Sequence, residues 1–282
     1  MRLLQITLLS LFALNQANAQ VREFWFSGAE INRYELKQMR YGESHPGHAE
    51  LIFVTEPFLV DQHVKHEFGT GSSTDILKLN AQRAFNTGIY TYRVMTSTFQ
   101  PIDMERYPHA LKTNTSIQDW CGQVFQQIGK TQTGWDIELR SYFQKDGDQD
   151  FTLGDYWLED ELWTRLRLDP MSLPVGKLQL VPGAILTRWM LIPIEPQDAL
   201  ARLKEGKKQS SYTVEYPKLG RKLVIHFDTK FPHIIRGWEE HEPAGVTHAT
   251  LTHRLMNSEY WSEKHLKDAS KRKLLGLEEV PN

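Results

Sequence analysis

The chain has 282 residues, 40% of them apolar, a formal net charge of -2 and a single cysteine. That length is enough to bury a sizeable core, and the near-neutral charge lacks the clustered basic excess that nucleic-acid backbones require, which excludes nucleic acid as the main partner. One cysteine cannot close an internal disulfide, so stability must come from packing.

The chain opens with "MRLLQITLLSLFALNQANA". Arg2 precedes an apolar run from Ile6 to Leu14, and Ala17 and Ala19 flank a spacer residue. This is the layout of a cleavable export signal, and the run is too short to serve as a permanent membrane anchor. Cleavage near Ala19 is expected, with a single mainly-β domain over 20–282 and an address in the periplasm or outside the cell. No later segment has about 18 apolar residues in a row, so no transmembrane span is expected.

From Tyr34 to Phe58 the pattern predicts a hairpin, with "SHPG" as its turn because Pro46 and Gly47 favour a bend. In the second arm Leu51, Phe53 and Thr55 should face one side and Ile52 and Val54 the other. "FGTGSSTD" reads as a polar loop; Gly69 and Gly71 are not followed by the Lys-Ser or Lys-Thr pair of a phosphate loop. "DILKLN" and "GIYTYRVMTSTF" read as strands. Residues 117–128 are ambiguous. Ile117, Trp120, Cys121, Val124, Phe125 and Ile128 match a helical stripe, yet the alternation of "GWDIELRSYFQ" after the loop "GKTQTG" favours a strand pair. Cys121 is expected to be a small buried apolar residue.

"LEDELWTRLRLDP" is the clearest helix. Leu158, Leu162 and Leu166 share a face, carboxylates occupy the first turn, and Pro170 stops it. "LPVGKLQLVPG" reads as loop and edge strand. From Ser211, "SYTVEYP", "RKLVIHFD", "PHIIRGWEE" and "VTHATLTHR" form an antiparallel meander, with Leu223, Ile225 and Phe227 on one face. The tail "SEYWSEKHLKDASKRKLLGL" reads as a polar, basic helix that caps the sheet or packs on its rim. The fold class is therefore mainly β with a few helices: a curved antiparallel sheet or half-barrel meander with a C-terminal helix.

The stretch "DGDQDFTLGDYWLEDELW" could be a calcium loop, with Asp146, Asp148, Asp150 and Glu159 as candidate metal ligands. An EF-hand needs glycine at the sixth position and glutamate at the twelfth. Starting at Asp146 these fall on Phe151 and Trp157; starting at Asp148 they fall on Leu153 and Glu159. Neither frame fits, and a hairpin tip leading into an acidic helix turn explains the stretch better. Glu159, Asp160 and Glu161 are adjacent on a helix and point in different directions, unlike a glycosidase pair facing across a cleft. The zinc-protease pattern His-Glu-x-x-His and the Gly-x-Ser-x-Gly elbow are both absent. No catalytic residue and no cofactor are assigned. Of the eight tryptophans, Trp120, Trp135, Trp163 and Trp238 are the candidates for lining an apolar groove on a concave sheet.

The motifs "EFWFSGAE", "RYGE", "AELIFVTEPFLV", "VKHE", "LKLN", "TGIYTYRVMTSTF", "QDWCGQVF", "SYFQ", "WLEDELW" and "FP…WEE" resemble an uncharacterised family of exported bacterial proteins, over nearly the whole chain after the leader. Members of that family sometimes carry the label septum formation inhibitor Maf, which would imply a nucleotide pyrophosphatase. The Ser-x-Ser-x-Arg-Arg motif of that activity is missing, and the chain has no Arg-Arg pair. The segment "YELKQMRYGESHPGHAELIFVTE" is also similar to half-barrel proteins of the lipoprotein-carrier type, which implies a curved antiparallel sheet wrapping helices around an apolar cavity. The resulting expectation is a non-catalytic cell-envelope protein that binds an apolar small molecule, a lipid or an envelope protein on a curved sheet. A secreted hydrolase using carboxylates or a metal is the alternative, and a purely structural envelope protein is a third class.

Overall fold

The computed structural model describes residues 23–277. The expected leader over 1–19 lies outside the described residues. Sixteen strands form one sheet, antiparallel except at one short edge pair. In chain order they are β1 (Ala29–Arg40), β2 (Glu43–Leu59), β3 (Val64–Lys65), β4 (Ser73–Thr87), β5 (Tyr90–Pro101), β6 (Lys112–Asp119), β7 (Gly122–Lys130), β8 (Gly134–Ser141), β9 (Gln149–Gly154), β10 (Trp157–Leu158), β11 (Gly176–Val181), β12 (Gln197–Lys204), β13 (Gln209–Tyr216), β14 (Arg221–Asp228), β15 (Ile235–Glu242) and β16 (Gly245–Ser258). Two α-helices interrupt them, α1 (Glu159–Leu168) and α2 (Ala184–Met190).

The spatial order is β10-β11-β12-β13-β14-β15-β16-β1-β2-β4-β5-β6-β7-β8-β9, with β3 paired to β2. The two halves of the chain are thus joined through β16 and β1 at the centre. The outer edges, β9 and β10, are consecutive in sequence, separated only by Asp155 and Tyr156. The sheet curls until its edges meet along the chain, without a ladder of hydrogen bonds to close it. This is a curved, unclosed, β-barrel-like architecture.

Local chemistry explains most elements. The alternation in "RKLVIHFD" places Leu223, Ile225 and Phe227 inside, all essentially inaccessible. In the second arm of the first hairpin Leu51 and Phe53 are likewise buried. The turn of that hairpin is not "SHPG". It is Tyr41-Gly42, both with positive φ (54° and 79°), the geometry whose twist suits a two-residue hairpin. Tyrosine is an unusual residue there, so the sequence pointed to the wrong dipeptide. Pro46 instead sits inside β2 opposite Lys37, just before the β4 ladder begins at Gly47. Gly47 is needed for close approach: a Cβ there would run into the Ala84 carbonyl oxygen and Phe85 Cβ.

Residues 117–128 are two strands, as the alternation favoured, with the turn at Trp120-Cys121. The Asp119 carboxylate accepts from the Cys121 and Gly122 amides at 2.6 and 3.2 Å. Cys121 is exposed, which corrects the expectation of a buried thiol: the apparent helical stripe runs through a hairpin tip. Helix α1 begins after Leu158, whose amide donates to Glu161 Oε1 at 3.0 Å, and it ends just before Pro170. Sequence reasoning assigned nothing to α2 or β12. The tail does pack on the rim, near β16, but Leu266–Leu275 is a 3₁₀ run rather than an α-helix.

Helix α1 lies on the concave side of the sheet. Leu162 and Leu166, fully buried, join Tyr34, Leu36, Phe53, Tyr212, Ile225 and Trp238 from strands on both sides of the centre in one core. A second core gathers Trp135, Ile137, Val124 and Val181 where the two sheet edges approach. Among the described residues, no helix is long and apolar enough to cross a membrane.

Candidate functional site

The concave face is not an empty bowl. Helix α1 fills much of it, and its charged side chains reach into the surrounding strands. The Glu159 carboxylate accepts from Arg221 Nη1 and Nη2 at 2.7 and 2.9 Å and from the Tyr216 hydroxyl at 2.7 Å. Asp160 Oδ2 accepts from the Ala184 amide at 3.0 Å, tying α1 to the start of α2. Glu161, fully buried, accepts from His109 Nδ1 at 2.9 Å and from the Ala110 amide at 2.7 Å. The three adjacent carboxylates therefore serve three different partners on different elements and do not oppose one another as an acid–base pair.

A narrow cleft remains between α1, α2 and the strands β4, β5, β14 and β15. Its apolar wall includes Leu79, Ala81, Ile185, Leu186 and the edge-to-face pair Trp163–Trp238, with ring centroids 5.3 Å apart. Its polar wall holds Arg83 with Glu240, Arg221 with Glu159, Asp160 and Glu242. The Arg83 Nη1–Glu240 Oε2 distance is 3.0 Å, and the Arg83 guanidinium lies 5.5 Å from the Trp238 ring centroid. Burial alone would raise the Glu240 carboxyl, but the Arg83 charge and its hydrogen bonds outweigh it and hold that carboxyl below its usual range. Burial pushes Asp160 up to about 7, beyond what the Ala184 amide offsets, and raises Glu242 as well. The cleft encloses only about 40 Å³, room for a very few water molecules.

Trp163 and Trp238, two of the four candidate tryptophans, meet in this cleft. The other two do not join them. Trp135 is buried in the second core, where its Nε1 donates to the Tyr156 carbonyl at 2.8 Å and its ring stands edge-on to His109. Trp120 is 70% exposed at the β6–β7 turn. The four candidate metal ligands do not gather into one cluster either. Asp146 accepts from the Ser141 hydroxyl and faces Arg188, and Asp148 accepts from the Ser141 amide. Asp150 pairs with Arg140 at 2.7 Å, while Glu159 is taken by Arg221. Among the described residues, no three His, Cys, Asp or Glu side chains converge on a common point.

Sequence reasoning missed Arg83, Glu240 and Arg221. A signal existed: Leu79, Ala81 and Arg83 share one face of β4, so following the alternation puts a guanidinium inside. The alternation does not name its partner, which is 157 residues away.

No family model matches the chain, and no curated protein matches it. The comparisons thus lend no support to the uncharacterised exported family or to the Maf label. Among solved structures, the chain is similar to a β-barrel-like protein of domain of unknown function DUF1849 from Brucella abortus, with 8% identity and a TM-score of 0.48, over 81% of this chain and 96% of that one.

Proposed function

We propose that the protein is an exported, non-catalytic binding protein of the cell envelope, taking an apolar small molecule or a segment of a lipid in the cleft beside Trp163 and Trp238. The single observation that carries this reading is a Trp-Trp wall facing the apolar side of α2 across a gap on the concave face. The leader-like segment at 1–19 and the absence of a catalytic motif in the sequence are in keeping with it. At about 40 Å³ the gap is far below the several hundred Å³ typical of ligand pockets, so a ligand must displace α2. That helix is the element suited to move. It has only seven residues, between the Pro182-Gly183 pair and Leu191, whose φ is 52°.

The test is a titration of purified residues 20–282 with fatty-acid, lysophospholipid and steroid fluorophores, following tryptophan quenching. One-site saturation is expected, with Trp163→Phe and Trp238→Phe removing most of the quenching and Ala81→Phe, which fills the gap, blocking binding. Flat titrations for all three probe classes, or binding untouched by Ala81→Phe, would overturn the reading.

A further inference from the structure

A second opening lies at the rim where the loop after β2, the loop before β6 and the β7–β8 loop come together. It encloses about 430 Å³, ten times the interior cleft and within the range that holds a small ligand without rearrangement. Its apolar side is made by Val60, Tyr107, Pro108 and Leu111, and its polar side by one carboxylate, Asp61, with His63, His109, Lys130 and Arg106.

Two of these groups are built in place. The buried Glu161 carboxylate accepts at His109 Nδ1, so that nitrogen carries a proton and Nε2 is the free ring nitrogen. Trp157 and Trp135 hold the imidazole from two sides, with centroids 4.4 and 5.6 Å away. Lys130 Nζ donates to the Thr131 carbonyl at 2.8 Å and stands 5.4 Å from the Trp135 ring centroid. What Lys130 and His109 share is an anion. Asp155 Oδ1 lies 3.1 Å from Lys130 Nζ and 3.6 Å from His109 Nε2. Asp155 is more than half exposed and belongs to the two-residue step between the sheet edges, so little packing holds its side chain there.

We infer that this rim groove is a binding site for a small oxyanion-bearing ligand, a carboxylate or phosphate on a compact apolar body, and that Lys130 takes the anion, beside the His109 ring, at the position Asp155 occupies. Asp155 is then an internal competitor. Its carboxylate marks the place and geometry of the ligand's own, and Arg106, stacked 5.2 Å over Tyr107, is a further cation on the lining. Lys130 supplies a fixed charge and a charge-assisted contact. The titratable groups facing that ring are Glu161, Asp155 and Lys130. The ligand body covers Tyr107, Pro108 and Leu111. This site is independent of the interior cleft and stands or falls separately from it.

Calorimetry and NMR of the His109 ring on residues 20–282 test it, with benzoate, phenyl phosphate and neutral benzamide as probes. One or both anions should bind saturably and shift the His109 resonances, and the preferred anion identifies carboxylate or phosphate as the ligand group. Benzamide should not bind. Asp155→Ala should tighten anion binding several-fold by removing the competitor, and Lys130→Gln should weaken it by about tenfold, the loss of one charge-assisted contact. Asp155→Ala changes an exposed side chain and keeps the test valid should Lys130→Gln fold poorly. Equal binding of benzamide, unchanged or weaker binding by Asp155→Ala, or no saturable binding of either anion would overturn the proposal.

Discussion

Asp160 carries the clearest pH signature at the scale of one residue. Its carboxyl is raised by burial to about 7, against an ordinary value of 3.8. Well below pH 3.8 it is protonated in both folded and unfolded chains and contributes nothing. As pH rises towards 7 the unfolded chain loses the proton readily and the folded one does not, so folding stability falls through that window. Asp160→Asn removes the charge and keeps an acceptor for the Ala184 amide. It should therefore raise stability at pH 8 by about 2 kcal/mol, at roughly 1.4 kcal/mol per unit with a discount for partial exposure, and leave it nearly unchanged at pH 4. Urea melts at the two pH values measure this, and a gain at pH 4 equal to that at pH 8 would count against it. Glu30 and Glu240 act with the opposite sign. Burial opposes their charge, but Arg167 and Arg83 respectively hold their carboxyls low, so their contribution is present above the ordinary carboxylate range and fades as pH falls.

Helix α1 shows what an element can conceal. Its acidic first turn, its Leu162 and Leu166 stripe and its stop at Pro170 were all legible. Its charges, on an isolated amphipathic helix, would mark a solvated face. Instead Glu159, Glu161, Arg165 and Arg167 are all buried, because the sheet curls round the helix and leaves it no outer side. Each charge has a partner on a strand or loop. Arg167 donates to Glu30 at 2.8 and 2.7 Å and to the Pro232 carbonyl at 2.9 Å, and Asn32 donates to the same carboxylate at 2.8 Å. Breaking one side of such a pair strands a buried charge. Glu30→Ala should cost about 3–5 kcal/mol in chemical denaturation, while Glu30→Leu with Arg167→Met should cost much less because no charge is left behind. A double variant as damaged as the single one would show that the pair does more than satisfy itself.

At the scale of the whole molecule, the sheet grows outward in both directions from β1 and β16, and its ends belong to strands in the middle of the chain. Opening free energies should follow that order. Hydrogen exchange is expected to be slowest in β1, β2, β4 and β16, flanked on both sides, and fastest in β9 and the short β10, which have one neighbour each. Exchange that is uniform along the sheet would argue that the edges are held together as firmly as the centre.

The sequence by itself determined many of the strands, the main helix and the antiparallel meander, because period-two and period-3.6 alternation, acidic first turns and proline stops act within a few residues. It also determined which motifs are missing, from the phosphate loop to the zinc-protease pattern. It misplaced the first turn at "SHPG" because the actual turn uses a tyrosine with positive φ, against ordinary preference. Only the tertiary structure decided that Trp163 meets Trp238 while Trp120 and Trp135 lie elsewhere, that Arg83 finds Glu240, and that Asp155 stands between Lys130 and His109. Curvature of a large sheet brings such residues together across tens to hundreds of positions, and side-chain alternation records which way a residue faces but not what waits on the other side.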